Sequence, residues 1–203
     1  MKESKYNFHS CQLEHHTNKP LHELLPLQAP LAMLIDPSNI CNFKCSFCPT
    51  GDKKLLKSVN RPQGTMGFDL FCKIIDDIKY MISSTNIKLK KLLLYKDGEP
   101  LINKNFSEMV AYAKEQQVAE SIETTTNASL LTLQKSQDII SAGLDEMRIS
   151  IEHVTNDGYK SITGTCSDYD KIKNNVKTLY KEKLKRNSSL RVLVKILNID
   201  LTN

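Results

Sequence analysis

No apolar run in this chain approaches the roughly 18 residues that a membrane-spanning helix needs. The N-terminus has no apolar stretch behind a basic start, so no secretory signal is read there. The expected location is the cytoplasm. No basic stripe with interleaved aromatics appears either. The net charge is only +5, and the lysines scatter over 53–57, 88–96 and 171–186, as on solvated helix and loop faces. The sequence therefore carries no nucleic-acid signal. It is not that of a disordered chain, because 40% of its 203 residues are hydrophobic and 25% charged. That length allows one large domain or two small ones.

A fourth cysteine is missing where it would matter most. Three lie within eight residues, Cys41, Cys45 and Cys48, in the spacing C-x-x-x-C-x-x-C. A closed structural zinc site needs four ligands, and a bacterial ferredoxin run also brings four cysteines. Three thiolates on one short loop suit a [4Fe–4S] cluster with one iron left open to a substrate or second cofactor. A zinc module completed by a distant histidine is the lesser alternative. Six cysteines in a cytosolic chain point to metal or redox chemistry over disulfides. Cys72 reads as core, and Cys11 and Cys166 as free thiols.

Residues 1–28 are polar, hold four of the five histidines (His9, His15, His16 and His22) and show no period. They are read as an N-terminal extension with surface histidines, and residues 29–203 as the main domain. From Leu31 an alternation begins. Short apolar runs are expected as strands at 31–35, 89–95, 121–126, 147–151 and 191–197. Residues 51–65, with Gly51, Pro62 and Gly64, are read as a long loop. Phe68, Phe71, Ile74, Ile75, Ile78 and Ile82 predict a helix over 68–82. Further helices are predicted around Phe106–Ala113, from a Thr132 cap to a stop at Gly143, and along Tyr169, Ile172, Val176 and Leu179.

This order is α/β with parallel strands, and both a doubly wound sheet and a barrel fit it. Either architecture binds ligands at the carboxyl ends of the strands. The cysteine loop, Asp97-Gly98-Glu99-Pro100 and Asn127 all sit at such ends. On the fourth strand, Arg148, Ser150 and Glu152 alternate with Met147, Ile149 and Ile151. A polar face there favours a barrel interior that holds a polar ligand over a solvent-facing edge strand.

These residues resemble a known family. Cys41-x-x-x-Cys45-x-Phe47-Cys48 is similar to the signature of the radical S-adenosylmethionine (radical SAM) superfamily. Asp97-Gly98-Glu99-Pro100 resembles its G-G-E-P motif, Thr125-Thr126-Asn127 its T-N-G, and Ile149-Ser150-Ile151-Glu152 its fourth-strand motif. Gly64 to Phe71 resembles the segment that opens its first helix. The nearest subgroup by this resemblance is the SPASM or twitch type, without its C-terminal extension.

The resemblance implies a partial (β/α) barrel of about five strand–helix units, one short of the family's six and so C-terminally incomplete. It implies that Cys41, Cys45 and Cys48 hold a [4Fe–4S] cluster that reductively cleaves S-adenosylmethionine to a 5′-deoxyadenosyl radical. That radical would abstract a hydrogen atom from a small-molecule or peptide substrate. The electron would come from a donor such as flavodoxin or ferredoxin. Gly98, Glu99 and Pro100 are implied at the methionine amine, Phe47 at the adenine, and Ser150 and Asn127 elsewhere in the cofactor pocket. Glu152 and Lys195 are the candidates to face cofactor or substrate. Two departures stand out: Asp97 replaces the usual first glycine, and Thr163 stands where many relatives have arginine. A non-catalytic iron–sulfur scaffold is the alternative.

Overall fold

The computed structural model describes residues 22, 27–84, 87–166 and 168–197. The expected extension, with His9, His15, His16 and Cys11, lies almost wholly outside the described residues. Five strands form one sheet in the order β1 (Ala32–Leu34), β2 (Leu89–Leu93), β3 (Ala119–Thr126), β4 (Glu146–Ile151) and β5 (Arg191–Ile196). Every neighbouring pair is parallel. Strand order equals chain order, so each connection winds the same way along the sheet, as in a barrel wall and unlike a doubly wound sheet, whose order reverses.

The helices are α1 (Lys53–Ser58), α2 (Phe68–Ile82), α3 (Phe106–Gln116), α4 (Leu133–Ala142), α5 (Asn156–Thr163) and α6 (Tyr169–Lys185). Helix α2 keeps its predicted bounds because Phe71, Ile75, Ile78 and Ile82 form a buried stripe. Helix α4 is capped as expected: the Thr132 side chain accepts from the Lys135 backbone N–H, and Gly143 ends it at φ +82°.

Two elements were not expected. Residues 51–65 are not all loop: α1 forms there because the Asp52 carboxylate caps the Lys54 and Leu55 backbone N–H groups. Only Leu56 of that helix is buried, so no apolar period announces it. Helix α5 hides behind the mid-helix Gly158.

Helices α2, α3, α4 and α6 pack side by side along one face of the sheet. The core lies between them and Leu92, Ile122, Met147 and Ile149, all at most 1% exposed. The register aligns Lys91 with Ser121, Glu123 with Glu146, Arg148 with Leu193 and Ser150 with Lys195 on the other, inner face. That face is polar, as the alternation in β4 predicted.

Its lower half is an ion ladder across four strands. Lys91 Nζ lies 2.8 Å from Glu123 Oε1, and Arg148 lies 3.1 Å from Glu123 and 2.7 Å from Glu146. Arg191 closes the ladder on Glu146. Arg148 also donates to the Tyr95 hydroxyl at 3.3 Å. The guanidinium, expected on a ligand-binding face, is therefore occupied by the sheet's own carboxylates. No helix among the described residues is long and apolar enough to cross a membrane.

Candidate functional site

The cysteine loop leaves β1 and is held from several sides by backbone hydrogen bonds. The Glu99 N–H donates to the Ile40 carbonyl at 2.9 Å. The Lys44 and Ser46 N–H groups donate to the carbonyls of Thr163 (2.8 Å) and Ile162 (3.0 Å), at the end of α5. Within the loop, the Cys48 N–H donates to the Cys45 carbonyl at 3.0 Å. Phe43 is 2% exposed and meets the Tyr159 ring edge-on at 6.0 Å. Gly98 permits the closest approach: a Cβ there would lie 2.0 Å from the Ser38 carbonyl oxygen.

The loop thus presents Cys41, Cys45 and Cys48 half-buried and unpaired. The Phe43 N–H and the Asn127 amide donate to Cys41 Sγ at 3.4 and 3.9 Å. Burial lifts the Cys41 thiol from 9.0 to about 11, with Glu99 and Cys48 adding to the rise. Burial, then Glu152, Cys41 and Cys48, lift Cys45 to about 12. The three sulfurs therefore act on one another electrically, and an added positive centre would relieve them. Yet among the described residues no three His, Cys, Asp or Glu side chains converge to grip a single ion. Three soft thiolate donors at C-x-x-x-C-x-x-C spacing on one short loop fit an iron–sulfur cluster, with one iron per thiolate.

Glu99, at the end of β2, is 2% exposed. Its Oε1 accepts from the Leu101 N–H (3.0 Å) and the Thr126 hydroxyl (2.6 Å), and Oε2 from the Asn127 N–H (2.8 Å). Burial raises its pKa, against the lowering effect of these donors and of Lys135. The carboxylate thus ties the end of β2 to the end of β3, and only Oε2 keeps an acceptor site beyond its single bond. Pro100 begins the 3-10 turn Pro100–Ile102 directly behind it.

Asn127 is 7% exposed and works as a clamp. Its amide donates to Asn42 Oδ1 at 3.0 Å, while its Oδ1 accepts from Ser129. Asn42 donates in turn to Ser129 Oγ at 2.7 Å. Neither partner, the distant Asn42 nor the adjacent Ser129, carried a recognisable sequence signal.

Phe47, Ser150, Glu152 and Lys195 come together with Ile151 and Leu197 around a small pocket at the C-terminal ends of β4 and β5. Phe47 is 55% exposed, so it lines the pocket and is not a core residue. Burial raises the Glu152 pKa, and the Lys195 charge opposes that rise. The predicted residues therefore fall into two sets. Gly98, Glu99, Pro100 and Asn127 shape and hold the cysteine loop, while Phe47, Ser150, Glu152 and Lys195 line the open space.

Thr163, at the position where many relatives have arginine, is fully buried; its hydroxyl donates to the Tyr159 carbonyl at 2.7 Å and its own carbonyl anchors Lys44. The substituted Asp97 makes an ion pair with Arg61, and its backbone carbonyl accepts from the Thr50 hydroxyl.

A family model described as the radical SAM superfamily matches residues 35–201. The GTP 3′,8-cyclase of Clostridium acetobutylicum is 26% identical over 164 residues, 81% of this chain and 48% of that protein. A probable GTP 3′,8-cyclase of Methanococcus maripaludis is 31% identical over 124 residues, 61% of this chain and 37% of that one. The chain thus spans half or less of the length of these relatives. Among solved structures, Streptococcus suis SuiB bound to S-adenosylmethionine superposes with a TM-score of 0.60 at 17% identity, over 81% of this chain and 34% of that chain. Superfamily members bind a [4Fe–4S] cluster and S-adenosylmethionine. The family match begins just after β1 and covers the cysteine loop and strands β2 to β5, and with it the chain belongs to the radical SAM superfamily.

Proposed function

We propose that this chain is the core of a radical SAM enzyme. Cys41, Cys45 and Cys48 would ligate three irons of a [4Fe–4S] cluster. When bound, the cluster and S-adenosylmethionine supply a 5′-deoxyadenosyl radical that removes a hydrogen atom from the substrate. The observation that carries the reading is the cysteine loop itself: three half-buried free thiols on one short segment that the Glu99, Ile162 and Thr163 backbone holds in place.

The chain's own residues divide the remaining work. Glu99 Oε2 and the Gly98–Pro100 backbone are suited to receive an ammonium group beside the loop. Phe47 offers an exposed ring for an adenine to stack on. The Ser150 hydroxyl suits a ribose or carboxylate, and the Glu152–Lys195 pair gives the pocket one acceptor and one cation for cofactor or substrate. The substrate class is a small molecule or peptide, with flavodoxin or ferredoxin as electron donor. GTP is the first substrate to try, because the curated relatives are named for it.

The test is anaerobic reconstitution followed by reduction with dithionite. About four irons per chain and release of 5′-deoxyadenosine from S-adenosylmethionine are expected. Zinc alone, with no charge-transfer absorption, would refute the reading. A second reading, a cluster-bearing scaffold without turnover, draws on β5, where Leu193, Val194 and Ile196 are 48%, 51% and 56% exposed beside the pocket. A full cluster with no cleavage product would select it.

A further inference from the structure

Asn42, Asn127 and Ser129 close a ring of hydrogen bonds beside Cys41. The Asn42 amide donates to Ser129 Oγ at 2.7 Å. The Ser129 hydroxyl donates to Asn127 Oδ1 at 2.6 Å. The Asn127 amide donates back to Asn42 Oδ1 at 3.0 Å. All three bonds run in one direction, so each group fixes the orientation of the next. The Ser129 backbone N–H, which can only donate, also lies 2.9 Å from Asn127 Oδ1. Turning the Asn127 amide over would set donor against donor there and oxygen against oxygen at Asn42. Its NH2 group therefore faces the cysteine loop.

That group has two protons. One goes to Asn42, and the other is left for Cys41 Sγ, 3.9 Å away in a long N–H···S contact. The turn that presents Ser129 is strained. Ala128 is fully buried at φ +58°. A non-glycine residue persists there only where its surroundings fix it, and such residues gather at functional sites. Helix α6 supplies a fixing contact, as the Asn175 amide donates to the Ala128 carbonyl at 2.9 Å. Anchoring the loop does not by itself call for this ring, because backbone bonds to Glu99, Ile162 and Thr163 already do so. What the ring adds is one oriented N–H at one sulfur.

We propose that the Asn42–Asn127–Ser129 ring is a positioning unit that holds the second Asn127 N–H on the Cys41 sulfur and thereby raises the reduction potential of the cluster. The inference rests on the proposed cluster at Cys41, Cys45 and Cys48. A hydrogen bond to a ligating sulfur stabilises the extra negative charge of the reduced state. Losing the donor makes the cluster harder to reduce.

The test compares the whole chain with Asn127→Leu, Ser129→Ala and the double variant. Asn127→Leu removes the donor and keeps its backbone N–H on Glu99 Oε2. Ser129→Ala opens the ring without changing a residue that touches the sulfur. Each protein is reconstituted anaerobically and titrated at poised potentials, with the reduced cluster followed by electron paramagnetic resonance. At the wild-type midpoint, the reduced-to-oxidised ratio of Asn127→Leu should fall about threefold to tenfold; tenfold corresponds to 59 mV for one electron. Ser129→Ala should shift the same way by less, and should add nothing in the Asn127→Leu background. Unchanged potentials overturn the inference, including where urea midpoints fall, since the ring would then be structural only. Additive shifts overturn it as well, because the two residues would not act through one N–H. If Asn127→Leu fails to fold or to take up iron, Ser129→Ala decides alone: a lowered potential supports the ring and an unchanged one overturns it. Absence of iron from the reconstituted wild type would instead overturn the cluster reading beneath it.

Discussion

Gly98 lies against the backbone of Ile40, with its neighbour Glu99 donating an N–H to the Ile40 carbonyl at 2.9 Å. Ile40 immediately precedes Cys41, so the turn after β2 directly fixes the start of the cysteine loop. A side chain at position 98 would meet backbone on every near side: Ser38 O at 2.0 Å, Ile40 O at 2.6 Å and Ile40 N at 2.8 Å. Backbone atoms bonded into a sheet end cannot swing aside as a flexible side chain does. Gly98→Ala is expected to destabilise the fold by about 3 kcal/mol, the upper part of the overpacking range, and to lower the iron bound per chain. Urea unfolding and iron analysis check it; an alanine variant with wild-type midpoint and iron content would refute the contact.

The ion ladder predicts a different kind of loss. Glu123 and Glu146 side chains are 1% and 3% exposed, and Arg148 is shared between them. Arg148→Met leaves both carboxylates short of a partner inside the sheet's inner face, although Lys91 and Arg191 remain. A cost of about 3 kcal/mol is expected, at the low end for a broken buried pair because Arg148 is one-quarter exposed. Adding Glu123→Gln to that variant should recover part of the loss. Chemical denaturation of the single and double variants tests this, and strictly additive losses would exclude the shared ladder.

The sequence disclosed what depends on short range. The cysteine spacing, the buried stripe of α2 and the alternation along β4 are local patterns, and each reappears in the structure. Residues whose roles depend on distant partners were not legible in the same way. Nothing near Asn42 reveals that it meets Asn127 and Ser129, 85 and 87 residues away. Arg148 was expected on an inner, ligand-facing side; that it is held by Glu123 and Glu146 instead was not legible, because sheet register brings those partners to it. Helix α5 escaped notice for a local reason, since Gly158 interrupts its period.

Glu99→Gln separates architecture from ligand binding. The carboxylate is an acceptor toward the Leu101, Thr126 and Asn127 donors. A glutamine can satisfy the two donors at one oxygen, but its amide then faces the Asn127 N–H, donor against donor. The expected cost is about 1–3 kcal/mol for one buried unsatisfied group. Iron binding should persist, because no cysteine is touched, whereas affinity for S-adenosylmethionine should fall if Oε2 receives the ammonium. Calorimetric titration of the reconstituted variant measures the second effect. A loss of stability with unchanged affinity would confine Glu99 to a structural role.

The thiols give the pH dependence. Folding without metal raises Cys41 from 9.0 to about 11 and Cys45 to about 12, in both cases chiefly by burial. A raised pKa means that the folded, metal-free chain holds these protons more tightly than the unfolded chain does. The associated stability is fully present below pH 9 and is lost as pH rises through the folded values, from about 9 toward 11 and 12. At pH 8 the thiolate fraction of Cys41 should be about a hundredfold lower than in the unfolded chain, and that of Cys45 about a thousandfold lower. Alkylation by iodoacetamide, resolved by peptide mass mapping, should therefore be slow at both positions and accelerate about tenfold per pH unit between 8 and 10. Exposed Cys166 supplies an internal control. Native rates at Cys41 and Cys45 that match those in denaturant would show that the loop does not bury its sulfurs. Iron reverses the sign, because each ligating sulfur must surrender its proton, so cluster uptake should quicken with pH over the same interval.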